Sequence, residues 1–81
     1  MIESDEKFLE TFMMHLKKIR SFLTKEEIIR RMKDKSCLFL GFEGMFKGDK
    51  LFEEAQCYLH DHPNKRTLSK AMYKTIDQLW R

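Results

Sequence analysis

Cys57, His60 and His62 fall within six residues of one another, and Cys-x-x-His is a spacing at which a thiolate and an imidazole can share a metal ion. A closed structural zinc site needs four ligands, and only Cys37 or His15 is available to complete this one from elsewhere in the chain. The expectation is therefore no bound metal and no cofactor, with the histidines solvated at a helix end. Cys57 and His60 also invite comparison with a nucleophile and its base. Residues i and i+3 on one short helix leave no third group to orient the base and no evident donors for an oxyanion. The three glycines, Gly41, Gly44 and Gly48, lack the order of a phosphate-cradling loop. No catalytic residue is expected, and the chain reads as a protein that is not an enzyme.

The other chemistry-bearing residues are cations. The net charge of +3 is unevenly spread. Residues 1–14 sum to −3, residues 15–35 to +5, residues 36–64 to −3 and residues 65–81 to +4. Lys17, Lys18, Arg30, Arg31, Lys65, Arg66, Lys70 and Lys74 can attract phosphates without reading bases, and no aromatic residues interleave with them to stack on exposed bases. Solvated helix faces explain the same pattern equally well. Weak, salt-sensitive attraction to DNA is the expectation for the chain alone. Lys65, Arg66, Lys70 and Lys74 are expected to line one side of the last helix, which follows a turn at Pro63 in the manner of a helix-turn-helix.

These side chains must be positioned by a small domain. Eighty-one residues make one domain spanning 1–81, and a chain of that size buries only about 60% of its unfolded surface. A pocket of several hundred Å³ would take a large share of so thin a core, which favours surface binding over catalysis. The two cysteines have no disulfide-framework spacing, and no secretory pattern precedes them, so reduced thiols and a cytoplasmic location are expected. The longest nearly apolar stretch, Cys37 to Phe42, is far shorter than a membrane span.

Periodicity predicts an all-α fold, a small bundle of about four helices. Phe8, Leu9, Phe12, Met13, Leu16 and Ile19 recur at three and four, giving a helix from about Asp5 to Arg20 with Ser4 or Asp5 as its cap. Thr24 and Glu27 have capping-box spacing, with Leu23 and Ile28 as the hydrophobic staple, and open a short basic helix through about Lys35. An irregular Gly/Phe-rich segment follows between the second and third helices. For residues 37–48 a buried loop, an extended segment and a helical turn all stay open. Asp49 can cap a third helix that Pro63 stops, near Asp61, and Asn64 or Thr67 a fourth that runs to the C-terminus. The expected core comprises Phe8, Phe12, Leu16, Ile28, Leu59, Leu68, Met72, Ile76 and Trp80.

The run Phe12-Met13-Met14-His15-Leu16-Lys17-Lys18-Ile19-Arg20-Ser21-Phe22 resembles the opening helix of the Hha/YmoA family of small modulators of nucleoid proteins. Asp61-His62 is similar to that family's Asp-His pair. Leu68-Ser69, Met72-Tyr73, Ile76 and Leu79-Trp80 resemble its closing pattern. The stretch from Cys37 to Gly48 departs from the family as an insertion, and Pro63 interrupts what is one helix there. The resemblance covers about half the chain. It implies a non-catalytic regulator of transcription that binds the helical N-terminal dimerisation region of an H-NS-like repressor and adds positive charge to its DNA complex. By position, Asp61 takes the role of the acidic residue at the partner interface, and Lys17 with Lys18 that of the basic doublet. Arg30 and Arg31 join Asp61 as candidates for partner binding. A helix-turn-helix DNA-binding protein and a phage-type protein inhibitor of a host enzyme are the competing expectations.

Overall fold

The computed structural model describes residues 2–33 and 44–81. Four helices occur among them, and no strand: α1 (Asp5–Ile19), α2 (Lys25–Lys33), α3 (Lys50–Asp61) and α4 (Lys65–Leu79). Each begins on a side chain that accepts one of its unpaired N–H groups. Ser4, rather than Asp5, caps α1 by accepting from Lys7 N–H at 3.2 Å. Thr24 Oγ1 accepts from Glu27 N–H at 3.2 Å at the start of α2. Asp49 Oδ1 takes Leu51 and Phe52 N–H at 3.0 and 3.3 Å ahead of α3. Asn64, rather than Thr67, caps α4, and Thr67 supplies the N–H, at 3.2 Å.

The proposed end of α2 near Lys35 and the segment 37–43 lie outside the described residues. What is described of the glycine-rich stretch is a single 3₁₀ turn at Gly44–Met45 and a turn through Gly48. The φ of Gly48 is +85°, a left-handed conformation that a Cβ would strain. This lets the chain reverse directly into the Asp49 cap.

α1 packs on both α3 and α4, while α2 packs on α4. The buried stripe of each helix supplies the core: Phe8, Phe12 and Leu16; Ile28 and Met32; Phe52, Ala55 and Leu59; Leu68, Met72 and Ile76. Trp80 differs from the expectation. It is half-buried against the cluster and works as a cover, its indole Nε1–H donating to the Leu23 carbonyl at 3.1 Å. That bond, with the Lys25–Asp77 ion pair at 2.6 Å, fixes the start of α2 against the end of α4. Thr11 and Thr75, buried on helix stripes, satisfy their hydroxyls by donating to the carbonyls of Lys7 and Ala71 one turn back.

α1 and α3 run antiparallel, because Asp5 meets Tyr58 and His62 at one end of the pair and His15 meets Asp49 at the other. Between these polar contacts Phe8 stacks on both Phe12 and Tyr58, with centroids 6.2 and 5.6 Å apart. The antiparallel pair therefore has an aromatic middle and two polar pins. No helix among the described residues is long and apolar enough to cross a membrane.

Candidate functional site

Lys50, Glu53, Glu54, Cys57, Tyr58 and Asp61 follow one another on α3 at alternating steps of three and one, which places them on a single face. Phe52, Ala55 and Leu59 take the core side. The outer face lines an open groove of about 830 Å³, closed at its edges by Ile2 and by His62 and Pro63 of the α3–α4 turn. Ile2, Tyr58 and Pro63 give its lining apolar surface, and Glu53, Glu54, Asp61 and Lys50 are the charged residues beside them. Such a surface suits a basic, amphipathic segment. Asp61 stands on this face with its side chain 80% exposed. Arg30 and Arg31 are not among the groove residues; they sit on α2, which packs on α4.

One end of the groove is tied to α1 through Asp5. The Tyr58 hydroxyl and His62 Nε2 both donate to Asp5 Oδ1, the latter at 2.6 Å. On the far side of the imidazole, Nδ1 accepts from Asn64 N–H at 3.0 Å. A backbone N–H can only donate, so this geometry selects the neutral ring with its proton on Nε2. The Tyr58 hydrogen bond holds the Asp5 carboxyl below its ordinary value; burial works against it, and His62 adds to the lowering. The same bond pushes the Tyr58 hydroxyl above its ordinary value, with burial and the Asp5 charge adding to the rise.

The other pin is buried. His15 Nδ1 lies 2.7 Å from the Thr11 carbonyl oxygen, and Nε2 lies 3.0 Å from Asp49 Oδ2. Both partners are acceptors, so both nitrogens are satisfied when His15 is an imidazolium facing an ionised Asp49. The ring is enclosed by Phe46 and Phe52, edge-on at centroid distances of 4.6 and 5.6 Å. Burial, the largest influence on Asp49, pushes its carboxyl up. The hydrogen bond and charge of His15, with the N–H groups of Phe52 and Leu51, together outweigh burial and hold it below its ordinary value. Lys18 Nζ approaches the same oxygen at 3.9 Å.

His15 is thus committed to the α1–α3 contact and is not placed to complete a metal site. His62 is committed to Asp5 and Asn64, and exposed His60 stands 3.2 Å from Asp61. Cys57 is an exposed thiol on the groove face. Among the described residues no cluster of three or more histidine, cysteine or carboxylate side chains is arranged to hold a metal ion. Cys37 lies outside them.

The cations fall into separate groups. Lys17 and Lys18 are exposed at the end of α1, where they complement the helix dipole. On α4, at about 100° per residue, Arg66, Lys70 and Lys74 span about 80° of exposed surface. Lys65 departs from the expected single side, lying about 100° away from Arg66 in the opposite direction. Asp77 falls inside the stripe but is engaged by Lys25. Arg66, Lys70 and Lys74 make no ion pair among the described residues. Arg30 is exposed, while Arg31 is half-buried, its Nε enclosed without a hydrogen-bond partner among the described residues.

Sequence periodicity left the two pins unseen. Asp5 is 53 residues from Tyr58, and His15 is 34 from Asp49. The one available signal was that His15 shares the apolar stripe of Phe8, Phe12 and Ile19. The chain matches no protein-family model, no curated protein and no solved structure.

Proposed function

We propose that this protein is a small non-catalytic regulator that modulates transcription by docking a protein partner in the α3 groove, the partner being the helical dimerisation region of an H-NS-like repressor. The observation that carries the reading is the position of Asp61. The resemblance to the Hha/YmoA family assigns the partner-facing acid to this residue, and it lines a groove that combines the apolar surface of Ile2, Tyr58 and Pro63 with acidic side chains. The exposed Arg66, Lys70 and Lys74 then add positive charge to a complex assembled on DNA, and Lys17 with Lys18 contribute at the end of α1.

The test is capture of the purified dimerisation region by the immobilised chain, with nuclease present so that DNA cannot bridge the two. Asp61→Asn is expected to weaken capture by about two- to five-fold, the range for an exposed charge pair. Undiminished capture by Asp61→Asn would remove Asp61 from the interface. A helix-turn-helix DNA binder is the second reading, favoured by the α3–turn–α4 connection and the exposed cationic stripe on α4. It predicts tight, sequence-selective binding of duplex DNA by the chain alone.

A further inference from the structure

His62 stands at the edge of the proposed docking groove and also ties separate parts of the fold together. Its side chain is only 11% exposed, its ring packs 5.4 Å from that of Tyr58, and it lines the groove. Its two nitrogens join three parts of the fold. Nε2 holds Asp5 at the start of α1, and Nδ1 holds the backbone of Asn64. Asn64 in turn caps α4 through Thr67 N–H.

We propose that His62 is a proton-operated latch that makes partner docking in the α3 groove depend on pH. Nδ1 can accept from Asn64 N–H only while it carries no proton. When it gains one, two N–H groups face each other across the turn, and that contact must open. The Nε2–H to Asp5 bond is kept and becomes charge-assisted, so the ring stays with α1 while the turn and the cap of α4 move away from it. The groups facing the ring are Asp5 from α1 and Tyr58 from α3, with His60 and Asp61 before it in the chain and Lys65 after it. Protonation also adds a positive charge to a groove whose carboxylates suit a basic segment. Both consequences lower affinity for such a segment as the solution becomes more acid.

The latch is intrinsic to the chain, whereas its effect on docking rests on the partner reading above, so the test has two arms. The first is NMR of the full chain between about pH 7.5 and about pH 5.5, the span in which imidazoles titrate. At the upper value His62 Nδ1 should report an unprotonated acceptor, with the Asn64 amide protected from exchange. At the lower value Asn64 protection should fall with the protonation of Nδ1. The wild-type measurement stands even if a variant folds poorly. His62→Gln, which keeps a donor for Asp5 and cannot gain a proton, should remove the transition, whereas His60→Gln should retain it. An Asn64 amide that ignores His62 protonation overturns the latch.

The second arm is affinity for the repressor dimerisation region at the same two pH values. Wild-type binding should weaken by about two- to five-fold at the lower pH, the effect expected of one added charge at a partly solvated surface. His62→Gln should lose that difference. Affinity that stays constant with pH while the Asn64 transition occurs refutes the gating alone. Absence of binding at both pH values refutes the partner reading, and the gating falls with it.

Discussion

Replacing Asp49 tests whether the buried His15 contact holds α1 to the start of α3. Asp49 has two separate duties. Oδ1 caps α3 through Leu51 and Phe52 N–H, while Oδ2 faces His15 Nε2. Asp49→Ala removes both. Loss of the cap costs about 1 kcal/mol, and loss of a charge-assisted hydrogen bond about 1.5–3 kcal/mol. The Asp49 side chain is 27% exposed, so water screens part of this interaction and reduces the loss. A loss of about 2–3 kcal/mol follows, a large part of the stability of a domain this size. Asp49→Asn should behave differently. Its carbonyl oxygen keeps the cap, and its amide can donate to the unprotonated Nε2 of a neutral His15. The expected loss is about 1 kcal/mol, with the ring changed to its Nδ1–H form. Urea denaturation followed by circular dichroism gives the stabilities, and ring-nitrogen NMR shifts give the protonation of His15. Equal stability for Asp49→Ala and wild type would refute the reasoning, as would Asn and Ala variants that are equally damaging.

The remaining predictions concern the core, a cap, acid stability and charge. Phe12→Ala and Ile76→Ala, at positions with no solvent exposure, should each cost about 2–5 kcal/mol and bring the domain close to unfolding, seen as loss of cooperative helix melting. Thr24→Ala should cost about 1 kcal/mol in denaturant titration, because Glu27 N–H loses its acceptor. Asp5 and Asp49 are both held below the ordinary value of 3.8, so the stability they contribute is present above that value and is lost as pH falls through their folded values. Tyr58→Phe removes the largest lowering influence on Asp5 and should return its carboxyl towards 3.8 in an NMR titration. Charge reversal at Lys17 and Lys18 should weaken DNA binding equally for all sequences, with a shallower salt dependence, in titrations with chosen and scrambled duplexes.

What was legible in the sequence was local. Spacings of three and four located the helix stripes, and Asp49 and Thr24 were readable as caps because a cap and its N–H group are two or three residues apart. At Ser4 and Asn64 the alternatives were decided by backbone geometry, with Asp5 and Thr67 already inside the next turn. Lys65 is adjacent to Arg66 in sequence, but the helical advance of about 100° per residue turns it off the α4 stripe. The pins were out of reach for another reason. Whether His15 finds Asp49, or Asp5 finds Tyr58 and His62, depends on the antiparallel packing of α1 and α3, which no period within either helix specifies. Asp61 could be singled out by resemblance, but the groove beside it arises from Ile2, α3 and the Pro63 turn coming together.

The central claim is that partner docking and DNA attraction use different surfaces. Its most direct measurement is a crossed titration at one salt concentration, with wild type, Asp61→Asn and a variant carrying Arg66→Glu, Lys70→Glu and Lys74→Glu. Each is titrated with the repressor dimerisation region and, separately, with duplex DNA. Asp61→Asn should weaken only the protein complex, and the triple variant should weaken DNA binding for every sequence while leaving the protein complex within about two-fold of wild type. Tight, sequence-selective DNA binding by the isolated wild-type chain, with no measurable affinity for the dimerisation region, would contradict it.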